Sequence, residues 1–211
     1  MPSLKQGAGG DWFVTHDGLI AAARFPSLVR AQPHISTADL AILLASGVTA
    51  ALAVGFVKLS LGIPGHAIVL AALPMAFGLA VAPRRLAGSV MGAGALGTAL
   101  MVTASGSATY GSGAIVSLSL LGPMMDVALR NAHRGWLVYA ALVASGVSAN
   151  LLALASRAAT KVLGLDVGAR PFDSWWLQAG MTYTLSGLVA GLLGALCLFH
   201  FNDRHGGRTR A

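Results

Sequence analysis

The sequence predicts an all-α integral membrane protein, a bundle of six transmembrane helices with both termini cytoplasmic. Three observations carry this expectation. Hydrophobic residues make up 55% of the 211-residue chain and charged residues only 10%, where soluble domains carry about 25% charged residues, and mean hydropathy is +0.72. So few charges cannot cover the apolar surface of a soluble fold of this length. Apolar stretches near the roughly 20 residues that cross a hydrocarbon core as a helix recur between short polar breaks. Lys and Arg then collect in alternate breaks, as cytoplasmic loops do.

In chain order, residues 1–38 read as a cytoplasmic leader. Its segment DWFVTHDGLIAAARF repeats bulky residues at Trp12/Leu19 and Phe13/Ile20, on one helical face, with Arg24 and Arg30 following. That pattern fits an interfacial helix on the inner leaflet or a partly ordered tail. No early apolar core with a cleavage pattern precedes the first span, so no cleaved signal peptide is expected. A membrane domain over 39–201 holds spans near 39–57, 66–82, 86–105, 112–130, 135–156 and 178–201, and 202–211 is a basic tail. Pro74 and Pro123 fall inside spans and predict kinks packed against protein, where neighbouring helices satisfy the freed carbonyls.

With the amino terminus inside, the inner side receives Lys5, Arg24, Arg30, Arg84, Arg85, Arg130, Arg134, Arg204, Arg208 and Arg210, leaving Lys58, Arg157, Lys161 and Arg170 outside. The location implied is the inner (plasma) membrane, crossed several times. Although 14 Lys+Arg outweigh 7 Asp+Glu for a net charge of +7, no basic stripe with interleaved aromatics points to nucleic acid. The single Cys197 lies in an apolar run and reads as a small core residue, with no disulfide framework.

Small residues recur four apart in several spans: Gly47/Ala51/Gly55 in the first, Gly88/Gly92 in the third, Gly187/Gly191 in the sixth. Such spacing lets helix backbones approach closely in lipid, and packing within the bundle is its plain meaning. The first span carries a second stripe, Ala41/Ala45/Thr49/Ala53, which packing within one bundle leaves over. One of the two faces is expected to meet a partner.

Polar residues concentrate on the side assigned as outer: Lys58, His66, the run TASGSATYGSG with Ser105 and Tyr110, Asn150, Arg157, Lys161, and DVGARPFDSWWLQ with Trp175, Trp176 and Gln178. Each has two readings. His66 contacts a ligand or sits among headgroups; Asn150 bonds a substrate or a neighbouring helix. Trp175 and Trp176 stack on a ring or anchor the interface. Arg157, Lys161 and Arg170 bind an anion or snorkel. Asp126, four residues before Arg130, is expected to pair with it on one helix face. No Gly-rich phosphate loop ending in Lys-Ser/Thr occurs, so the chain cannot power transport with ATP by itself.

Several segments carry a resemblance: the Pro-Gly turn of GIPGHAIV into the second span, APRRLAGSVMGAGALG leading into the third, and GPMMD in the fourth. Over about residues 39–201 the chain resembles the S components of energy-coupling factor (ECF) transporters. The resemblance implies a membrane subunit, not itself an enzyme, that captures a vitamin or similar small organic solute on the outer face. It also implies partners, a transmembrane coupling protein and two cytoplasmic ATPases, and no cofactor. Ala41 and Ala45 match the family's Ala-x-x-x-Ala pattern facing the coupling helices, and KLSLGIPGH (58–66) matches its lid, with Pro64 and Gly65 turning the segment over an outer pocket. The substrate contacts then expected are Lys58, His66, Ser105, Tyr110, Asn150, Arg157, Trp175, Trp176 and Gln178.

Two other classes fit the sequence less well. TASG (103–106) is one residue from the Gly-Ala-Ser-Gly signature of rhomboid proteases and His200 lies in the last span, but Ser105 and His200 are expected near opposite membrane faces, about 20–30 Å apart across a core of about 30 Å. A self-sufficient carrier or scaffold fits less well, since no internal repeat is found and a scaffold leaves the outer polar cluster unexplained. Metal uptake is not expected: the chain begins Met-Pro, and His16, His34, His66, His133, His200 and His205 are scattered.

Overall fold

The computed structural model describes residues 36–57, 65–84, 86–130, 135–164 and 172–206. They form six helices, α1 (Thr37–Phe56), α2 (Ala67–Val81), α3 (Ala87–Ala104), α4 (Ser112–Arg130), α5 (Gly135–Val162) and α6 (Phe172–Gly206), and no strand. Five of these are long and apolar enough to cross a membrane. The described residues are all-helical, the bundle of a multi-pass membrane protein. Residues 1–35 of the leader, residues 58–64 of the lid segment with Lys58 and Pro64, Arg85, Arg134, Arg170 and residues 207–211 lie outside the described residues.

Local chemistry sets most boundaries. α1 starts two residues before its expected span because Ser36 and Asp39 make a capping box: Asp39 N–H donates to Ser36 Oγ at 3.1 Å, and Ser36 N–H to Asp39 Oδ2 at 3.3 Å. α5 runs past its expected end at 156 until Gly164, whose φ of +69° closes the helix with a bond from its N–H to the Lys161 carbonyl. At 28 residues it is about 42 Å long and overreaches the hydrocarbon core. α2 lies within one residue of its expected bounds at each end and is the shortest of the six. Its 15 residues span about 22 Å, shorter than that core, so the Gly65 turn that begins it sits deep in the bundle.

Around the bundle the helices are ordered α1, α3, α4, α5, α6, α2 and back to α1, with α2 also touching α4 across the middle. Neighbouring contacts fix their directions. Ser117 meets Asn150 and Met124 meets Ser145, so α4 and α5 are antiparallel. Gly187 lies against Gly146 and Gly191 against Val143, making α5 and α6 antiparallel too. The core is built of Leu43, Ile68, Met75, Met91, Leu118 and Leu198 with many alanines between them.

Glycines sit where backbones touch. A Cβ on Gly88 would strike the Gly122 carbonyl oxygen, and one on Gly122 the Gly88 carbonyl oxygen. Gly146, Gly187 and Gly191 do the same for α5 and α6. Both prolines lie inside continuous helices. At Pro123 the freed carbonyl, that of Ser119, faces Gly92 of α3, 2.9 Å from where a Cβ would stand. The lost bond is thus turned toward protein rather than lipid.

One end of the bundle is held by two carboxylates. Asp39 of α1 accepts from Arg84 Nε at 2.8 Å. Asp126 of α4 does not pair with Arg130 as its spacing predicted; it caps α3, accepting from Gly88 N–H at 2.8 Å and from Ser89 N–H and Ser89 Oγ at 2.7 Å each. The positive end of a helix that begins inside the bundle is a stronger draw than an exposed guanidinium one turn away.

Candidate functional site

Residues expected to bind substrate gather toward the opposite end, where α3 and α5 finish and α2, α4 and α6 begin. Asn150, fully buried, is the hub. Its Nδ2 donates to the Tyr183 carbonyl at 2.6 Å and toward the Gly65 carbonyl at 3.4 Å, and its Oδ1 accepts from Ser117 Oγ at 3.4 Å. The side chain therefore ties α4, α5 and α6 to the turn entering α2. Lipid offers no donor for a turn carbonyl at that depth, so the protein supplies one.

Gly65 fits this contact for two reasons. Its φ is +88°, a conformation costly to any residue with a Cβ, and a Cβ there would stand 3.1 Å from Asn150 Nδ2 and from the Tyr183 Cα and ring. His66 follows as the half-buried N-cap residue of α2, making no capping bond through its side chain.

Above Asn150, three elements converge. Gly113, in the first turn of α4, has the Arg157 stem and the Tyr183 hydroxyl each 3.1 Å from its Cβ position. Tyr183 is 3% exposed and packs with Ala153, Leu154, Trp175 and Ala179. Lys161 Nζ lies 5.0 Å from the centroid of the Trp175 ring, a cation–π distance; this tryptophan is buried in the bundle rather than standing at its rim. Trp176 and Gln178 are exposed on α6.

Tyr110 and Ser105 stand apart from this convergence. Tyr110 Oη donates to the Ala51 carbonyl at 2.8 Å and its ring end covers Gly55, locking the α3–α4 connection onto α1. Ser105 is exposed and bonded to Val102 O and Ser107 Oγ at 2.9 Å each. α3 runs parallel to α1, α6 parallel to α2, and the two pairs run oppositely, so Ser105 and position 200 lie at opposite ends of the bundle. Among the described residues no three His, Cys, Asp or Glu side chains gather as a metal site would need.

A separate groove of about 320 Å³ opens sideways between α5 and α6, lined by Leu151, Leu154, Trp176, Leu177, Met181 and Thr184. Trp176 alone of the expected contacts borders it. Tyr183 is the site residue that sequence reasoning missed. Its signal was a phenol between two threonines in an apolar span, TYT at 182–184.

On the bundle surface, the two stripes of α1 part ways. Gly47 and Gly55 are covered by Met91 of α3 and by Tyr110, and Ala51 is fully buried, whereas Ala41, Ala45 and Thr49 are exposed.

Comparison of the chain with protein-family models, with curated proteins and with solved structures gave no match. Fold and composition define the class, a multi-pass helical membrane protein whose described Asp, Arg and Lys side chains lie toward the two ends of the bundle.

Proposed function

We propose that the chain is the substrate-capturing subunit of an ECF-type importer for a vitamin or similar small organic solute. In this reading it lies in the plasma membrane with both termini cytoplasmic and six crossings, α2 being the short one, and the Asn150–Tyr183 end faces outward. The observation that carries the proposal is the division of labour on α1. A bundle needs one small-residue face to pack α1 against α3, and Gly47, Ala51 and Gly55 serve it. On the second face Ala41, Ala45 and Thr49 are exposed and Ala53 half-buried among the described residues, and such small side chains give lipid little area to bury. Small residues on an open membrane-helix face favour a partner helix, because close backbone approach is what they provide.

The polar convergence at the other end supports capture, and no phosphate loop occurs for energising it. The protease alternative would require Ser105 to meet a base that lies a bundle length away. The test is affinity purification of the tagged protein from its native membrane. The proposal expects a membrane coupling protein and a pair of ATPases to accompany it, with recovery reduced by Ala41→Leu or Ala45→Leu. Absence of any ATPase, under conditions where known importers stay intact, would refute it.

A further inference from the structure

We propose that Arg157, the Tyr183 hydroxyl and the first turn of α4 form a binding site for an oxyanion, the carboxylate or phosphate group of the captured molecule. This deepens the importer reading and rests on it only for the word captured. Three features of the structure lead to the site.

The first is the course of Arg157. A snorkelling arginine lays its stem along lipid to reach the headgroups. Here Cγ and Cδ instead lie against Gly113 of α4, within the bundle, each 3.1 Å from the Cβ position. A larger residue at 113 would exclude the stem. Arg157 is half-buried and makes no ion pair or side-chain hydrogen bond among the described residues. The acidic side chains that are described, Asp39 and Asp126, are engaged at the far end with Arg84 and with α3. A guanidinium inside a membrane bundle is retained where it pairs or lines a water-filled opening, and among the described residues this one has no protein anion beside it.

Tyr183 supplies the second feature. Its ring is 3% exposed, and its hydroxyl has no hydrogen-bond partner among the described residues. No fully buried side-chain N or O lacks a partner there, so the hydroxyl oxygen is not fully enclosed. It does so beside Gly113, where Arg157 passes. A buried phenol whose O–H alone is unsatisfied and accessible is a donor awaiting an acceptor.

Third, the 19-residue helix α4 begins at this spot. Of its first N–H groups, those of Ala114 and Ile115 donate to the Gly111 carbonyl, which leaves those of Ser112 and Gly113, where the helix dipole adds positive potential. The planar guanidinium fork and the helix-terminal N–H groups only donate, and the phenol can donate beside them. A cationic solute is repelled by the guanidinium, whereas a carboxylate or phosphate oxygen can accept from all three with charge-assisted bonds.

The test uses the full-length protein in phosphatidylcholine nanodiscs, titrated with benzoate, inorganic phosphate and the neutral control benzamide, and read by tryptophan fluorescence and unfolding midpoint. Saturable binding of benzoate or phosphate, and none of benzamide, is expected. Arg157→Gln should weaken that binding about tenfold or more and Tyr183→Phe about three- to tenfold, with Arg157→Lys intermediate because it keeps charge but loses the fork. Arg130→Gln, at the far end, should leave it unchanged. Repeating the titration in phosphatidylglycerol discs separates the sources. Weaker apparent benzoate binding there, in wild type but not in Arg157→Gln, shows that a lipid phosphate occupies the same site. Two results would overturn the proposal: no saturable response to benzoate, phosphate or phosphatidylglycerol, or equal responses in wild type and Arg157→Gln when both unfold at similar temperatures. If anion binding fails while the ATPase pair still co-purifies, this inference alone falls; if anion binding holds and no ATPase appears, the importer reading falls and the site remains.

Discussion

Replacing Asp126 separates two accounts of why an acid stands in a membrane helix. Paired with Arg130 on an exposed helix face, it would contribute about 0.3–0.5 kcal/mol. In the structure it accepts three hydrogen bonds from the start of α3, at 2.7–2.8 Å. Asp126→Ala leaves the N–H groups of Gly88 and Ser89 and the Ser89 hydroxyl without acceptors. Loss of a helix cap alone costs about 1 kcal/mol, and up to 2. The third bond, also to a charged acceptor, brings the total to about 3 kcal/mol, since Gly88 is buried and water replaces the carboxylate poorly. Asp126→Asn keeps one acceptor oxygen and should lose about half as much. Arg130→Ala should be nearly neutral. Equilibrium unfolding in mixed detergent micelles reads all three variants. If Asp126→Ala falls within about 0.5 kcal/mol of wild type, or if Arg130→Ala costs as much as Asp126→Ala, capping of α3 is not what holds this end together.

Other outcomes follow from the same contacts. Gly65→Ala should destabilise by about 1–3 kcal/mol, from the positive φ and the 3.1 Å approach to Asn150 and Tyr183, seen as a lower unfolding midpoint. Asn150→Leu leaves the Gly65 and Tyr183 carbonyls unpaired and should cost about 1–3 kcal/mol in the same assay. Leu86→Gly should stabilise by about 1 kcal/mol, because Leu86 is exposed yet held at φ +66°. Burial pushes the Tyr110 phenol above its ordinary value of 10.0, so the unfolded chain ionises first as pH rises. Stability tied to this group is complete below about pH 10 and declines as pH climbs through the folded value; Tyr110→Phe should flatten that decline in unfolding measured from about pH 9 to 12.

Five of the helices and the short sixth were legible because apolar length and polar punctuation are one-dimensional properties of a membrane chain. Where boundaries moved, specific residues moved them: the Ser36–Asp39 box extended α1, and only Gly164 stopped α5. The partner of Asp126 was not legible, since an i,i+4 arginine is visible in sequence and a helix start 38 residues away is not. The same holds for the site. Asn150 and Arg157 stand out as polar residues in an apolar span, but the use of Asn150 as the link between α4, α5, α6 and the Gly65 turn depends on three-dimensional proximity. Tyr183 went unmarked because a phenol in a membrane helix usually signals an interface, and only its burial beside Gly113 gives its hydroxyl a different meaning. The two stripes of α1 were legible as a pair; which one faces outward needed the packing of Gly47 on Met91.

The most direct test of the account places a photo-crosslinking residue at position 45 of α1 and, in a second protein, at position 152 of α5, across the bundle, then irradiates native membranes. The account expects position 45 to join a membrane protein that carries the ATPase pair, and position 152 not to. Crosslinks from position 45 to lipid or to copies of this chain alone, or the same partner from both positions, would contradict it.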